Sequence, residues 1–276
     1  MGLHIAAAFA YGERMDSGLD YWTAYELLDW QVELGADEAI LDAPVNRYEL
    51  VDEVRKPAAA KPKAAPPPVP EKPKVDQVTE AQKAADAAKD IDALKAAIFG
   101  FEHCDLRKGA RNCIVSAGNL AARVMIVTEP PSRDDDRAGT LLSGQLGAFF
   151  DKMFAAIDLG RSSDISANGL YLVSVVPWCP PATSGVEPAQ LKMMTPFLKR
   201  HIALAAPEVV VAMGNTPCRA LLGKDGMTRL RGHWHDLDGR PLLPMVEPQR
   251  VLNNPNAKRD AWADLLSLKA KLTKGS

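Results

Sequence analysis

The chain has 276 residues, of which 47% are hydrophobic and 25% charged, and a formal net charge of −2 at pH 7. These proportions are those of a soluble globular protein, long for one domain and short for two large ones. The longest apolar runs, such as LYLVSVV and EVVVAMG, fall well below the roughly 20 residues that a membrane-spanning helix needs.

The first residues, MGLHIAAAFAYGERM, hold an apolar patch with no basic segment before it, so no secretory signal is expected, and Met15 opens a more ordinary start. In YWTAYELLDWQVELG, residues 21–35, Tyr21, Tyr25, Leu28 and Val32 recur at helical spacing and Gly35 ends the run. Such a helix cannot bury its own apolar face. Residues 16–35 are therefore expected to dock on the rest of the chain, on a second copy or on a protein partner. This arm spans 1–54. Residues 55–76 form a linker, because KPAAAKPKAAPPPVPEKPK within them favours extended polyproline conformations and cannot build a core.

The main domain, 77–276, opens with one or two alanine-rich helices over 77–99. Strands are expected at 123–128, 170–176, 208–213 and 241–246, and helices at 145–157, 188–204, 216–222 and 258–272. Short, continuously apolar strands separated by helices predict an α/β fold, a three-layer α/β/α sandwich on a mainly parallel four-stranded sheet. Ligands in such folds sit beyond the carboxyl ends of the strands. The stretch VTEPPSRDDDRAGTLLSG, 127–144, lies at one of those ends.

Charge divides along the same boundary. Residues 1–96 hold 11 Lys/Arg against 18 Asp/Glu, and residues 97–276 hold 22 against 17. A mildly basic domain fits a phosphate-bearing partner such as nucleic acid, or an ordinary solvated surface. Cys104, Cys113, Cys179 and Cys218 show no CxxC spacing and read as free thiols in a reducing cytoplasm, the expected location of the chain. His233 and His235 have no third ligand at metal spacing, and Gly214-Asn215-Thr216-Pro217 reads as a helix start with a polar cap.

Four segments in order carry a resemblance: RVMIVTEPPSRDDDRAGTLLSGQLGAFFDKMFAAIDL, LYLVSVVPWCPP, PFLKRHIALAAPEVVVAMGNTPCRALLG and LRGHWHDLDGRPLLPMVEPQRVLNNPNAKRDAWADLL. Together they resemble the uracil-DNA glycosylase superfamily, most closely its bacterial branch built around an iron–sulfur cluster. The resemblance implies base-excision repair of DNA: a uracil is flipped from the strand into a pocket, and the bond from base to sugar is hydrolysed.

The resemblance also assigns positions. The family motif GEAPG stands here as Thr128-Glu129-Pro130-Pro131-Ser132, which keeps Glu129 and places Pro130 in the base pocket without an amide N–H. Asp135 falls on the family's catalytic carboxylate. Leu142 stands where an aromatic ring stacks on the base, which removes about 1–3 kcal/mol of stacking. Ser174 replaces the Asn that reads the uracil edge. Glu247 replaces the His that donates to the uracil oxygen; an ionised carboxylate accepts and repels the forming anion. Arg229, Arg231, Gln249 and Arg250 are the expected DNA contacts. Of the four cluster cysteines only Cys104 is kept, with Phe101, Trp178 and Met194 at the other positions, so no iron–sulfur cluster, no other cofactor and no metal is expected.

Three functions follow from these letters. The chain is a divergent glycosylase acting on uracil or another damaged base, a degenerate relative that binds uracil-containing, single-stranded or damaged DNA without cutting it, or a scaffold for a protein partner.

Overall fold

A computed structural model describes residues 21–34 and 76–274. The chain divides into two units, Met1–Glu71 and Lys72–Ser276. The described part of the first is α1 (Tyr21–Glu33), the helix expected there, with Tyr25, Leu28, Trp30 and Val32 exposed on it. Residues 16–20 and 35 of the expected docking segment, and all of the linker except Asp76, lie outside the described residues.

The second unit opens with α2 (Gln77–Ala87) and α3 (Ile91–Gly100). Asp76 caps the first by accepting from the Val78 amide at 3.1 Å, and Asp90 caps the second through the Ala93 amide at 2.7 Å. Each carboxylate satisfies an amide that a helix start leaves unpaired. The chain then runs through α4 (Leu106–Gly109), β1 (Ser116–Gly118), β2 (Val124–Thr128), α5 (Arg133–Ala138), α6 (Gly144–Ala155) and β3 (Leu170–Ser174). It continues through α7 (Pro188–Ala205), β4 (Val209–Met213), α8 (Asn215–Leu222), α9 (Met227–Leu230), β5 (His235–Leu237), β6 (Arg240–Met245), α10 (Pro248–Asn253) and α11 (Ala257–Lys274).

The sheet order is β1-β3-β2-β4-β6-β5. Its four central strands are the expected ones, and all are parallel. The sheet has six strands rather than four because β1 and β5 pair antiparallel at its edges. Each is three residues long, SAG and HDL, and neither carries the apolar run by which a buried strand is recognised.

Every residue of β2, β3 and β4 is buried, as expected of strands covered on both faces. Val124 and Ile126 of β2 face a core formed with Phe150 and Phe154 of α6 and Leu265 and Leu268 of α11. Met125 and Val127 face the opposite core, built on Leu94, Met194, Phe197 and Cys218 of α3, α7 and α8. The chain passes from β2 to β3 on one side of it, then crosses to β4 on the other. That reversal opens a crevice at the carboxyl ends of β2 and β4.

In the second core His201 of α7 is 1% exposed and shares a 2.8 Å hydrogen bond with the Tyr171 hydroxyl. Burial, followed by the charge of Lys95, pushes His201 down to about 4. Below the ordinary histidine value of about 6.5 the unfolded chain takes up a proton that folded His201 refuses. The stabilisation is therefore complete above that pH and is lost as the pH falls toward about 4. We expect about 3 kcal/mol of stability to go over this window. The fall should appear in urea midpoints and should be shallower in His201→Gln.

Candidate active site

A cavity of about 180 Å³ occupies the crevice. Glu129 follows β2, Met213 ends β4, Glu247 follows β6, and Pro130, Asp135 and Leu142 come from the loop predicted to carry the chemistry. A larger cleft of about 530 Å³ lies on the other flank of α5, lined by Arg111, Arg133, Arg137 and Cys179. None of the predicted catalytic or base-pocket residues lines it.

The three consecutive aspartates play three different parts. Asp134 makes an exposed ion pair with Arg137 at 3.1 Å. Asp136 accepts from the backbone amides of Arg111 and Asn112. Asp135 alone is buried, at 4% exposure, and reaches the cavity. Its Oδ2 accepts from the Ser132 amide at 3.0 Å, while the Ser132 hydroxyl accepts from the Asp135 amide, a reciprocal cap at the start of α5. Its Oδ1 accepts from the Ser143 amide at 2.6 Å. One carboxylate therefore ties the two arms of the loop together. An ionised carboxylate has about four acceptor positions, so two bonds leave capacity toward the cavity.

Glu129 reaches across to the start of α8, where its Oε1 accepts from the Thr216 amide at 2.9 Å. The helix start read as a polar cap thus takes its capping oxygen from the β2 loop, 87 residues away. Gly214 permits this approach. It has φ of +115°, and a Cβ on it would lie 2.3 Å from Glu129 Oε1. Burial raises the Glu129 carboxyl above its ordinary value, opposed by hydrogen bonds from Thr216 and Asn215. Burial also raises Glu247, followed by the negative charge of Glu129 and opposed by Arg250. Glu129, Asp135 and Glu247 all line the one cavity, and of the other two carboxylates it is Glu129 whose charge adds to the rise at Glu247. Among the described residues the Glu247 side chain has no hydrogen-bond partner, and it does not cap α10.

Leu142 stands at φ of +51°, a left-handed conformation costly for a residue with a side chain. Arg161 holds it there, donating from Nη1 to the carbonyls of Leu141 and Leu142 at 2.8 and 2.9 Å while pairing with Asp151 at 2.9 Å. Leu142's carbonyl lies against Gly147, where a Cβ would come within 1.8 Å of it. Arg161, the Ser143 amide and Met213 were missed by sequence reasoning. Met213 carried a usable signal, as the last residue of a buried strand beside the crevice. Arg161 carried none, because its partners lie in other segments.

Other predicted residues are placed elsewhere. Ser174 pairs in register with Thr128, yet its hydroxyl turns back to donate to the Val176 carbonyl, and it does not line the cavity. Arg231, an expected DNA contact, faces inward. It donates to both oxygens of Asp264 at 3.1 and 2.9 Å and to the Asp260 carbonyl at 2.8 Å, and Asp264 is 1% exposed. Arg229 and Arg250 are exposed, and Gln249 sits on the cavity rim, donating to Asn253 at 3.2 Å.

The residues at the resemblance's cluster positions do not fit a four-thiolate cluster. Phe101, Cys104, Trp178 and Met194 are all buried in one apolar core, where Phe101 packs edge-on against Phe197 at 5.2 Å. All four cysteines are free, and burial pushes each thiol above its ordinary value. Among the described residues no three His, Cys, Asp or Glu gather in a way that could hold a metal. No described helix is long and apolar enough to cross a membrane.

Comparison with known proteins places this geometry. The family model of the uracil DNA glycosylase superfamily matches residues 115–266. The chain is 29% identical over 154 residues to a type-4 uracil-DNA glycosylase of Thermotoga maritima, covering 55% of this chain and 77% of that protein. It is 24% identical over 183 residues to the type-4 enzyme of Archaeoglobus fulgidus, covering 63% and 89%. It also matches a DNA polymerase of Bacillus phage SP01, at 25% identity over 158 residues, covering 57% of this chain and 16% of the polymerase.

Two substitutions probe the site's framework. Gly147→Ala forces a methyl group onto the Leu142 carbonyl and should cost about 1–3 kcal/mol in denaturant unfolding. Arg231→Met strands the buried Asp264 carboxylate and should cost about 3–5 kcal/mol. If Arg231 were a surface DNA contact instead, that change would leave stability unaltered.

Proposed function

The chain belongs to the uracil-DNA glycosylase superfamily, and from that premise we propose that it is a DNA base-excision protein whose cavity receives a base turned out of the strand, with only residual capacity to release uracil. The observation that carries this reading is the buried Asp135, held on two backbone amides at the wall of a strand-end cavity. A carboxylate so placed stabilises positive charge developing on the sugar, or orients the attacking water. Extrusion costs a few kcal/mol of stacking, which the apolar wall of Pro130, Leu141, Leu142, Leu146 and Met213 offsets in part.

The weakness toward uracil follows from charge. Uracil leaves as an anion, and Glu247 stands at the cavity rim beside a second carboxylate. Two like charges about 4 Å apart repel by about 4 kcal/mol at an effective dielectric near 20, which is roughly a thousandfold in rate. The neighbouring cleft supports a path for the strand. Arg111, Arg133 and Arg137 line that cleft together with Asp105, Asp136 and Glu187, and Arg137 is paired with Asp134, so phosphates would rest on Arg111 and Arg133, one helix away from the extruded base.

A uracil-containing oligonucleotide tests the reading. We expect salt-sensitive retardation, slow formation of abasic sites, loss of those sites in Asp135→Asn, and uracil release at least about a hundredfold faster in Glu247→His. Arg111→Ala with Arg133→Ala should lower the salt slope by about two. Retardation without any abasic product would favour the DNA-binding relative that does not cut. Neither signal at low salt would favour the protein-partner scaffold.

A further inference from the structure

We infer that the base this cavity is built to accept carries a fixed positive charge, acquired by alkylation of a ring nitrogen, rather than being uracil. The inference rests on the reading above, that the cavity receives a base from DNA, and it names the substrate class. The site itself is located by the sheet crevice and the loop around Asp135. The acidic side chains decide only what charge that site tolerates.

Three carboxylates line the cavity, Glu129, Asp135 and Glu247, and no Lys, Arg or His stands among the residues that line it. The cation whose charge opposes Glu247 is Arg250, which is exposed on α10 outside the cavity wall. Side-chain hydrogen-bond donors are few. Thr128's hydroxyl points to the Val173 carbonyl at 3.5 Å, and one of the two N–H groups of Gln249's side-chain amide donates to Asn253, which leaves the other at the cavity rim. Ser132's hydroxyl remains able to donate, although it already accepts from the Asp135 amide. Uracil presents two carbonyl oxygens that need donors and departs with a negative charge. Both demands are poorly met by a wall of acceptors. A base with a fixed positive charge reverses both terms. It is attracted by the same carboxylates, and its apolar methyl group suits the surfaces of Leu142, Leu146 and Met213.

The leaving-group chemistry agrees. When the bond from C1′ to the base nitrogen breaks, its electron pair stays with the base and cancels the positive charge, so the base leaves neutral. No donor to a forming anion is required. The sugar is left electron-poor beside Asp135. A water oxygen bonds to C1′, and its proton passes to a carboxylate of the cavity and then to solvent. The products are a neutral alkylated base, an abasic sugar and one proton. Glu247, which has no hydrogen-bond partner among the described residues, is the group positioned to face the cationic ring.

The test uses the full chain and three oligonucleotides that differ at one nucleotide: 7-methylguanine, uracil or unmodified guanine. Free base is measured by chromatography against a protein-free control. We expect 7-methylguanine to be released at least about tenfold faster than uracil, and guanine not at all. We also expect Glu247→Gln to lose at least about tenfold on 7-methylguanine while Glu247→Asp recovers part of the rate. Thermal unfolding of each variant separates a lost charge from a lost fold. Release of uracil at an equal or greater rate than 7-methylguanine would overturn the inference and leave the glycosylase reading intact. Release of no base from any oligonucleotide would overturn both.

Discussion

The site depends on one buried carboxylate and the two amides it joins. A charged group at 4% exposure is tolerable only when hydrogen bonds replace its water, and Asp135 finds them in the Ser132 and Ser143 amides on opposite arms of one loop. Satisfying the charge therefore closes the loop. Closing the loop sets Leu142 in a left-handed conformation, and that conformation is kept by Arg161 and by the missing side chain of Gly147. The cavity wall follows from these bonds, so the group best placed for chemistry is also the group that shapes the pocket.

A second carboxylate shows the same economy of parts. Glu129 caps α8 through Thr216 and lies on Gly214, which fixes the carboxyl ends of β2 and β4 against each other. Glu247 lines the same cavity, and its carboxyl is raised by burial and then by the negative charge of Glu129. Glu129, Asp135 and Glu247 thus give the cavity wall three carboxylates and no cationic side chain.

On the far face of the sheet the positions of the resemblance's cluster belong to the core. Phe101, Trp178 and Met194 stand where the resemblance places cluster thiolates, and they pack with Phe197 and Leu191 into a continuous core. The helices there are held by ordinary apolar burial together with the Tyr171–His201 hydrogen bond.

Much of this was legible in the amino-acid order. Buried apolar runs announced the four central strands, helical periodicity announced the long helices, and motif order announced the family and the positions of Glu129, Asp135 and Glu247. Local pattern suffices for these because it records which side chains must leave water. The edge strands escaped, being too short and too polar to show a period. The polar pairings escaped for a different reason. Motif order picks Asp135 over Asp134 and Asp136, but only the fold brings the Ser143 amide to it. Arg231 resembles a surface cation until Asp264 is brought to it from 33 residues away. Ser174 sits at the expected strand end, but its hydroxyl is already bonded to Val176. Composition and periodicity determine the layers. Which charges meet across those layers is set by long-range contacts that no local stretch contains, and on those contacts the chemistry of the site depends.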